Sequence, residues 1–233
     1  MTENESSSLS TETEQIVPQL LPIEKNIESR RHTILTNIVK MLTERGLIDR
    51  ANMDQYIKKL LSTQSDDLTY KINLDFPEKA YGKDNGTMII RLVNQKITSV
   101  SKSSGINDLL TTYKMQPKII VVLSINLKTR YMIQADNINY PNTEIFLEKE
   151  LLINLIDHVS QPKFSLLSEE ETKNVLDAYH AKRRDIPKIL FTDPVSCYYN
   201  AKSGQMFRII RPSETSGEAP SYRLVIKGMV KET

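Results

Sequence analysis

The chain has 233 residues, a mass of 26.7 kDa and a formal net charge of +2, far from the excess of Lys and Arg that marks a free-standing nucleic-acid binder. One cysteine excludes an internal disulfide, and three dispersed histidines (His32, His158, His180) with Cys197 offer no zinc-ligand spacing. No apolar run approaches the ~20 residues of a membrane span, and no secretory leader pattern opens the chain, so we expect a protein that is not secreted, with no metal, no cofactor and no membrane partner.

Residues 1–22, rich in Ser, Thr and Glu and interrupted by Pro18 and Pro22, are predicted to be a disordered tail. Ile27, Ile34, Leu35, Ile38, Val39 and Leu42 then recur at helical spacing, and Gly46 follows where a left-handed cap belongs. A second helix is predicted over residues 53–61, capped by Asn52. Residues 62–87 read as polar and irregular. The runs at 88–92 and 119–123 are short and β-branched, with Ile106, Leu109, Leu110 and Tyr113 at helical spacing between them. Strand, helix, strand predicts a small α/β layer with a partly parallel sheet.

The stretch 144–158 has no decisive period and reads as a bridge between two modules. Ser168-Glu169-Glu170-Glu171 is a capping box that starts a helix at Glu169, with Thr172, Val175, Leu176 and Tyr179 on its inner face. Asp193 and Pro194 predict a capped short helix ending near Asn200, which tolerates positive φ. Runs at 206–211 and 221–225, joined by a turn-rich loop at 212–220, predict a hairpin packed on the helix at 169. The fold class is therefore α+β.

Few residues offer chemistry. A metal-dependent nuclease needs carboxylates at adjacent strand ends, and the strands at 88–92 and 119–123 carry none; Glu148 is the nearest acid and reads as a solvated face. Cys197 with His180 or His158 reads as packing, not as a nucleophile and base, and Asp157-His158 as a surface pair. No phosphate-binding glycine motif occurs among seven glycines. Arg208, Arg211 and Arg223 are expected to share a polar hairpin face, either solvated or available to a partner. Lys128, Thr129 and Arg130 read as a small basic turn after a strand.

The string Ile209-Ile210-Arg211-Pro212-Ser213-Glu214-Thr215-Ser216-Gly217 followed by Tyr222-Arg223-Leu224-Val225 closely resembles the C-terminal hairpin of the RNA polymerase subunit 5 family, in its eukaryotic form and in its shorter archaeal counterpart. Ile186-Pro187-Lys188-Ile189, Asp193-Pro194-Val195, Tyr198-Tyr199, and Glu150 to Asn154 leading to His158 resemble the same domain. Arg45-Gly46-Leu47 and the run 119–122 match the eukaryote-type N-terminal module more loosely. With the polar tail at 1–22 set apart by composition, the resemblance implies a jaw-like α/β domain at 23–149, a polymerase-assembly domain of helix and β-hairpin at 150–226, and a short tail at 227–233. It also implies a non-catalytic subunit that docks on the largest subunit, beside small ones, and lines the jaw around downstream duplex DNA.

The partner-binding residues it implies are Asp193, Pro194, Tyr198, Tyr199, Arg208, Arg211, Pro212, Ser213, Glu214, Thr215, Tyr222 and Arg223; Lys128, Thr129 and Arg130 fall at its DNA-proximal loop. Cys197 stands where the family has Arg, and Asn200 where it has Gly. The long N-terminal tail and the drift in the jaw point towards a large DNA virus, with the virion and host cytoplasm as location; a cellular version belongs in the nucleus. The rival readings are a free-standing DNA-binding or adaptor protein on the same fold, and a diverged Mg-dependent nuclease.

Overall fold

The computed structural model describes residues 26–63, 67–100, 106–136 and 138–228, and these form two four-stranded sheets with helices on them. The tail expected at 1–22, and all but two residues of that at 227–233, lie outside the described residues.

The first sheet is built from β1 (Thr69–Asn73), β2 (Thr87–Ile97), β3 (Lys118–Ile125) and β4 (Thr143–Leu147), in that spatial order. β1 runs antiparallel to β2, while β2, β3 and β4 are mutually parallel. The crossovers are α3 (Ile106–Thr112) and α4 (Leu127–Ala135). The unbroken apolar run in β3 follows from burial on both faces. Ile119 and Val121 pack with α1 (Ile27–Glu44), whereas Ile120 and Val122 meet α3 and Ile133 of α4. α2 (Met53–Ser62) and α5 (Glu148–Leu151) flank α1.

The second sheet has the order β5 (Lys163–Leu166), β7 (Met206–Ser213), β8 (Gly217–Ile226), β6 (Lys188–Leu190). β8 pairs antiparallel with β7 and parallel with β6. α6 (Glu169–Ala178) covers one face at Met206 and Leu224; α7 (Pro194–Tyr198) adjoins the other, where Phe207, Ile209 and Val225 are buried.

The structure corrects several expectations. Asn52 supplies no side-chain cap to α2; a 3-10 turn at Arg50–Asn52, capped by Asp49, leads into it, and the Asn52 amide donates to Asp75 instead. Residues 62–87 contain β1, whose Tyr70 and Ile72 alternate into the core. The bridge at 144–158 begins inside the first sheet, as β4, and continues into α5. The loop expected at 212–220 is mostly strand, so the hairpin turns only at 214–216, with Gly217 at φ +72°.

Lys118, at the head of β3, is 1% exposed. Its ammonium donates to the carbonyls of Lys114 (3.2 Å), Gln116 (2.9 Å) and Pro141 (3.0 Å), tying the turns before β3 and β4 together. Burial lowers its pKa from 10.5 to about 8. Between these values the unfolded chain binds the extra proton, so this group's contribution to stability rises with pH across that window and is flat below it. Comparing urea unfolding of the wild type with Lys118→Met should show a stability difference that shifts in the wild type's favour from pH 8 to 10; a constant difference would refute the assignment.

Candidate functional site

The C-terminal elements are shaped by local chemistry. The Ser168 hydroxyl accepts from Glu171 N (3.2 Å), and the Glu171 carboxylate accepts from Ser168 N (2.8 Å), closing the predicted capping box. Asp193 accepts from Val195 N (2.9 Å), with Pro194 at the first turn of α7 and Asn200 at φ +49° after it. Asp193 is thus a helix cap.

Pairing places β7 and β8 residues on defined faces. Phe207 lies opposite Arg223, Ile209 opposite Ser221, and Arg211 opposite Ala219, so these share one face. Arg208 lies opposite Tyr222 and Ile210 opposite Pro220 on the other. The expected three-arginine face therefore does not form: Arg211 and Arg223 share a face, and Arg208 faces away with Tyr222. Successive strand residues alternate sides, and an offset of three reverses the direction. Pro212, Glu214 and Thr215 are exposed at the tip, where the Ser213 hydroxyl accepts from Ser216 N (3.4 Å).

Tyr179, expected on the inner face of α6, is 61% exposed. The backbone leaves the helix there, through His180 at φ +49°, and the ring meets Tyr222 edge-on at 5.8 Å. Tyr198 and Tyr199 go the opposite way: Tyr198 is buried against the core of the first sheet, and Tyr199 packs edge-on against Phe207 at 5.8 Å. Burial raises the Tyr199 phenol to about 12.

Beneath these tyrosines sits a buried ion pair that no sequence pattern announces. The Arg45 side chain, 5% exposed, forks onto Glu144 of β4 (3.0 and 2.8 Å) and donates to the α7 carbonyls of Tyr198 (2.6 Å) and Cys197 (3.0 Å). The Tyr81 hydroxyl donates to the same carboxylate (2.7 Å), and the Asn200 amide donates to that hydroxyl (3.4 Å). Burial opposes the Arg45 charge, but the facing carboxylate prevails and its pKa stands above the usual value. Burial, then the Glu144 charge, holds the Tyr81 phenol far above its ordinary value. Arg45 follows α1 directly, and its partner lies 99 residues later, beyond the reach of any local pattern.

Lys128, Thr129 and Arg130 form the first turn of α4 rather than a loop, with Asn126 capping Lys128 N at 3.0 Å. Thr129 is buried and donates to Thr98 O (2.7 Å); Arg130 forks onto Glu150 (2.7 and 2.9 Å), which also accepts from Leu147 N. Lys128 is the exposed member. Glu148, expected on a solvated face, is largely covered and lies 3.5 Å from Arg30.

Among the described residues, Cys197 is not set up as a nucleophile. Burial raises the Cys197 thiol to about 11, and it points at Phe191 O (3.5 Å), so the thiolate needed for attack is scarce. Among the described residues no group of His, Cys, Asp and Glu is placed to hold a metal ion.

The model of the family described as RNA polymerase Rpb5, C-terminal domain, matches residues 153–225. Over 210 residues the chain is 36% identical to DNA-directed RNA polymerase subunit 5 of Acanthamoeba polyphaga mimivirus, covering 89% of this chain and 97% of that one. The chain belongs to the RNA polymerase subunit 5 family. Membership makes it a non-catalytic subunit of the DNA-directed RNA polymerase complex. The Dictyostelium discoideum subunit rpabc1 of RNA polymerases I, II and III is 29% identical over 226 residues, covering 90% of this chain and 98% of that one. Subunit Rpo5 of Methanosarcina acetivorans is 47% identical over 74 residues, 32% of this chain but 95% of the archaeal one.

Proposed function

We propose that this subunit docks on the largest polymerase subunit through residues 150–226 and holds residues 23–149 as a jaw beside downstream duplex DNA. The observation that carries the reading is the β7–β8 hairpin, which extends beyond both neighbours. β5 pairs with β7 only as far as Ile210, and β6 pairs with β8 only from Leu224 onward. Its distal half therefore stands free of the fold, with Arg211, Pro212, Glu214 and Thr215 exposed there and Arg223 exposed at its base, opposite Phe207. Tyr198 and Tyr199 serve the junction inside the chain, so the docking surface consists of the hairpin and Tyr222, with Pro194 exposed nearby in sequence on α7.

The buried Arg45 pair supports the second half of the proposal, because it fixes the first sheet to the docking elements and lets a bound hairpin set the position of the jaw. Lys128 supplies a weak, salt-sensitive phosphate contact. Higher identity over the whole chain to the mimivirus subunit than to the amoebal one favours a viral enzyme, acting in virion or host cytoplasm.

Co-purification tests the docking surface. Arg211→Glu combined with Tyr222→Ala should release the chain from affinity-captured polymerase while the chain stays folded, since Arg211 is exposed and Tyr222 packs only at the margin of the second sheet's core. Retention at the wild-type ratio would remove the hairpin from the docking surface.

A further inference from the structure

The hydrogen-bond phase of the hairpin dictates how a partner can approach it. Val225 N donates to Gln205 O (2.8 Å), whereas Leu224 N points away, to Pro187 O (2.8 Å). Alternation along the register then makes 207/223, 209/221 and 211/219 the bonded pairs, and turns the backbone groups of residues 208, 210 and 212 on β7, and 218, 220 and 222 on β8, outward. Residues 208 and 210 are occupied by β5. The next outward positions on the free edges are Pro212 and Pro220, which have no N–H, and Glu218, whose N–H folds back to Ser216 O (2.9 Å). Between the two free edges, Tyr222 is left as the outward donor. An added strand would find almost nothing to accept from.

The faces are the remaining route, and they differ. On the Phe207 side the free half carries Arg211, Ser213, Ala219 and Ser221, and Arg223 lies at its base opposite Phe207. Both arginines are exposed, and neither has a carboxylate of this chain within ion-pair distance among the described residues. Four residues of strand separate their levels, about 13 Å. On β8 the small Ala219 and Ser221 keep the surface between them low, while Ile209 opposite Ser221 is buried under this chain's own residues, and guanidinium forks suit carboxylates. Glu214 and Glu218 at the tip disfavour a phosphate backbone, so a protein segment fits better than nucleic acid.

We propose that the Arg211/Arg223 face of the hairpin receives an acidic, non-strand segment of a partner subunit, the strand edges being closed to pairing by Pro212 and Pro220. This rests on the docking reading above and adds the chemistry of the partner.

The test uses tagged full-length chain co-expressed with the polymerase, reading the ratio of chain to catalytic subunits after capture. Arg211→Glu with Arg223→Glu should lower that ratio about thirtyfold or more. Arg211→Lys with Arg223→Lys should lower it less, because charge remains and the fork is lost. Lys173→Glu, at an exposed residue of α6 outside the hairpin, should leave it unchanged, and Pro212→Thr with Pro220→Thr, which restores edge donors, should not raise it. If the double Glu variant stays bound while Arg211→Glu with Tyr222→Ala is released, docking stands and the acidic-segment inference falls. If both stay bound, the docking reading falls with it. A rise in capture by the threonine pair would mean strand addition, and nuclease-sensitive capture of the wild type would mean nucleic acid; either overturns the inference.

Discussion

Replacing Arg45 with methionine should lower the stability of the full chain by about 3–5 kcal/mol, the usual cost of leaving a buried charge without its partner. Glu144 would keep the Tyr81 hydroxyl but lose both guanidinium contacts, the Tyr198 carbonyl would lose the Arg45 donor, and the Cys197 carbonyl would keep only backbone N–H donors. The pair itself need not be strongly stabilising, because two desolvated charges offset much of their own attraction. Adding Glu144→Gln to Arg45→Met should therefore recover a large part of the loss, which urea unfolding followed by circular dichroism reads as a double-mutant cycle. Arg45→Lys should fall between, since a point charge cannot fork onto the carboxylate and reach two carbonyls. Equal losses in the single and double variants would show that Arg45 acts by packing alone.

Phe207→Ala is the second large effect, at about 3–5 kcal/mol for a fully buried aromatic. Phe207 is completely enclosed, with Phe164 and Tyr199 edge-on at 5.7 and 5.8 Å. It is where β5, the hairpin base and the segment after α7 meet, so its removal should loosen the second sheet before the first. Hydrogen exchange should accelerate mainly in β5 to β8, with Ile120 and Val122 of β3 still protected. Uniform acceleration across both sheets would mean that the two parts unfold as one unit and would contradict this local role.

The legible features are those written in neighbouring residues. The capping box at Ser168, the Asp193-Pro194 start of α7, Asn200 and Gly46 at positive φ, and the β-branched run of β3 all carry their cause within a few positions. β1 escapes a pattern reading because an edge strand with two inward residues, Tyr70 and Ile72, gives too short an alternation. α4 escapes it because its inner face is only Thr129 and Ile133. β5 and β6, of four and three residues, exist because the hairpin offers them edges, which no local pattern records.

The candidate site divides the same way. The hairpin and its turn are readable, but the sides on which its arginines fall depend on register: Arg208 points away from Phe207 and Ile209 as expected, whereas Arg211 and Arg223 share their side. The fates of Tyr198 and Tyr199 depend on the first sheet, to which Arg45 and Glu144 bind them across 153 and 99 positions. Family resemblance locates the C-terminal domain without saying which of its residues face inward.

Purifying the RNA polymerase from its native source and quantifying its chains by mass spectrometry decides whether this polypeptide works as a subunit of that enzyme. We expect it in constant ratio to the catalytic subunits through every fraction that synthesises RNA. Fractions that are fully active yet lack it would show that the enzyme is built without it.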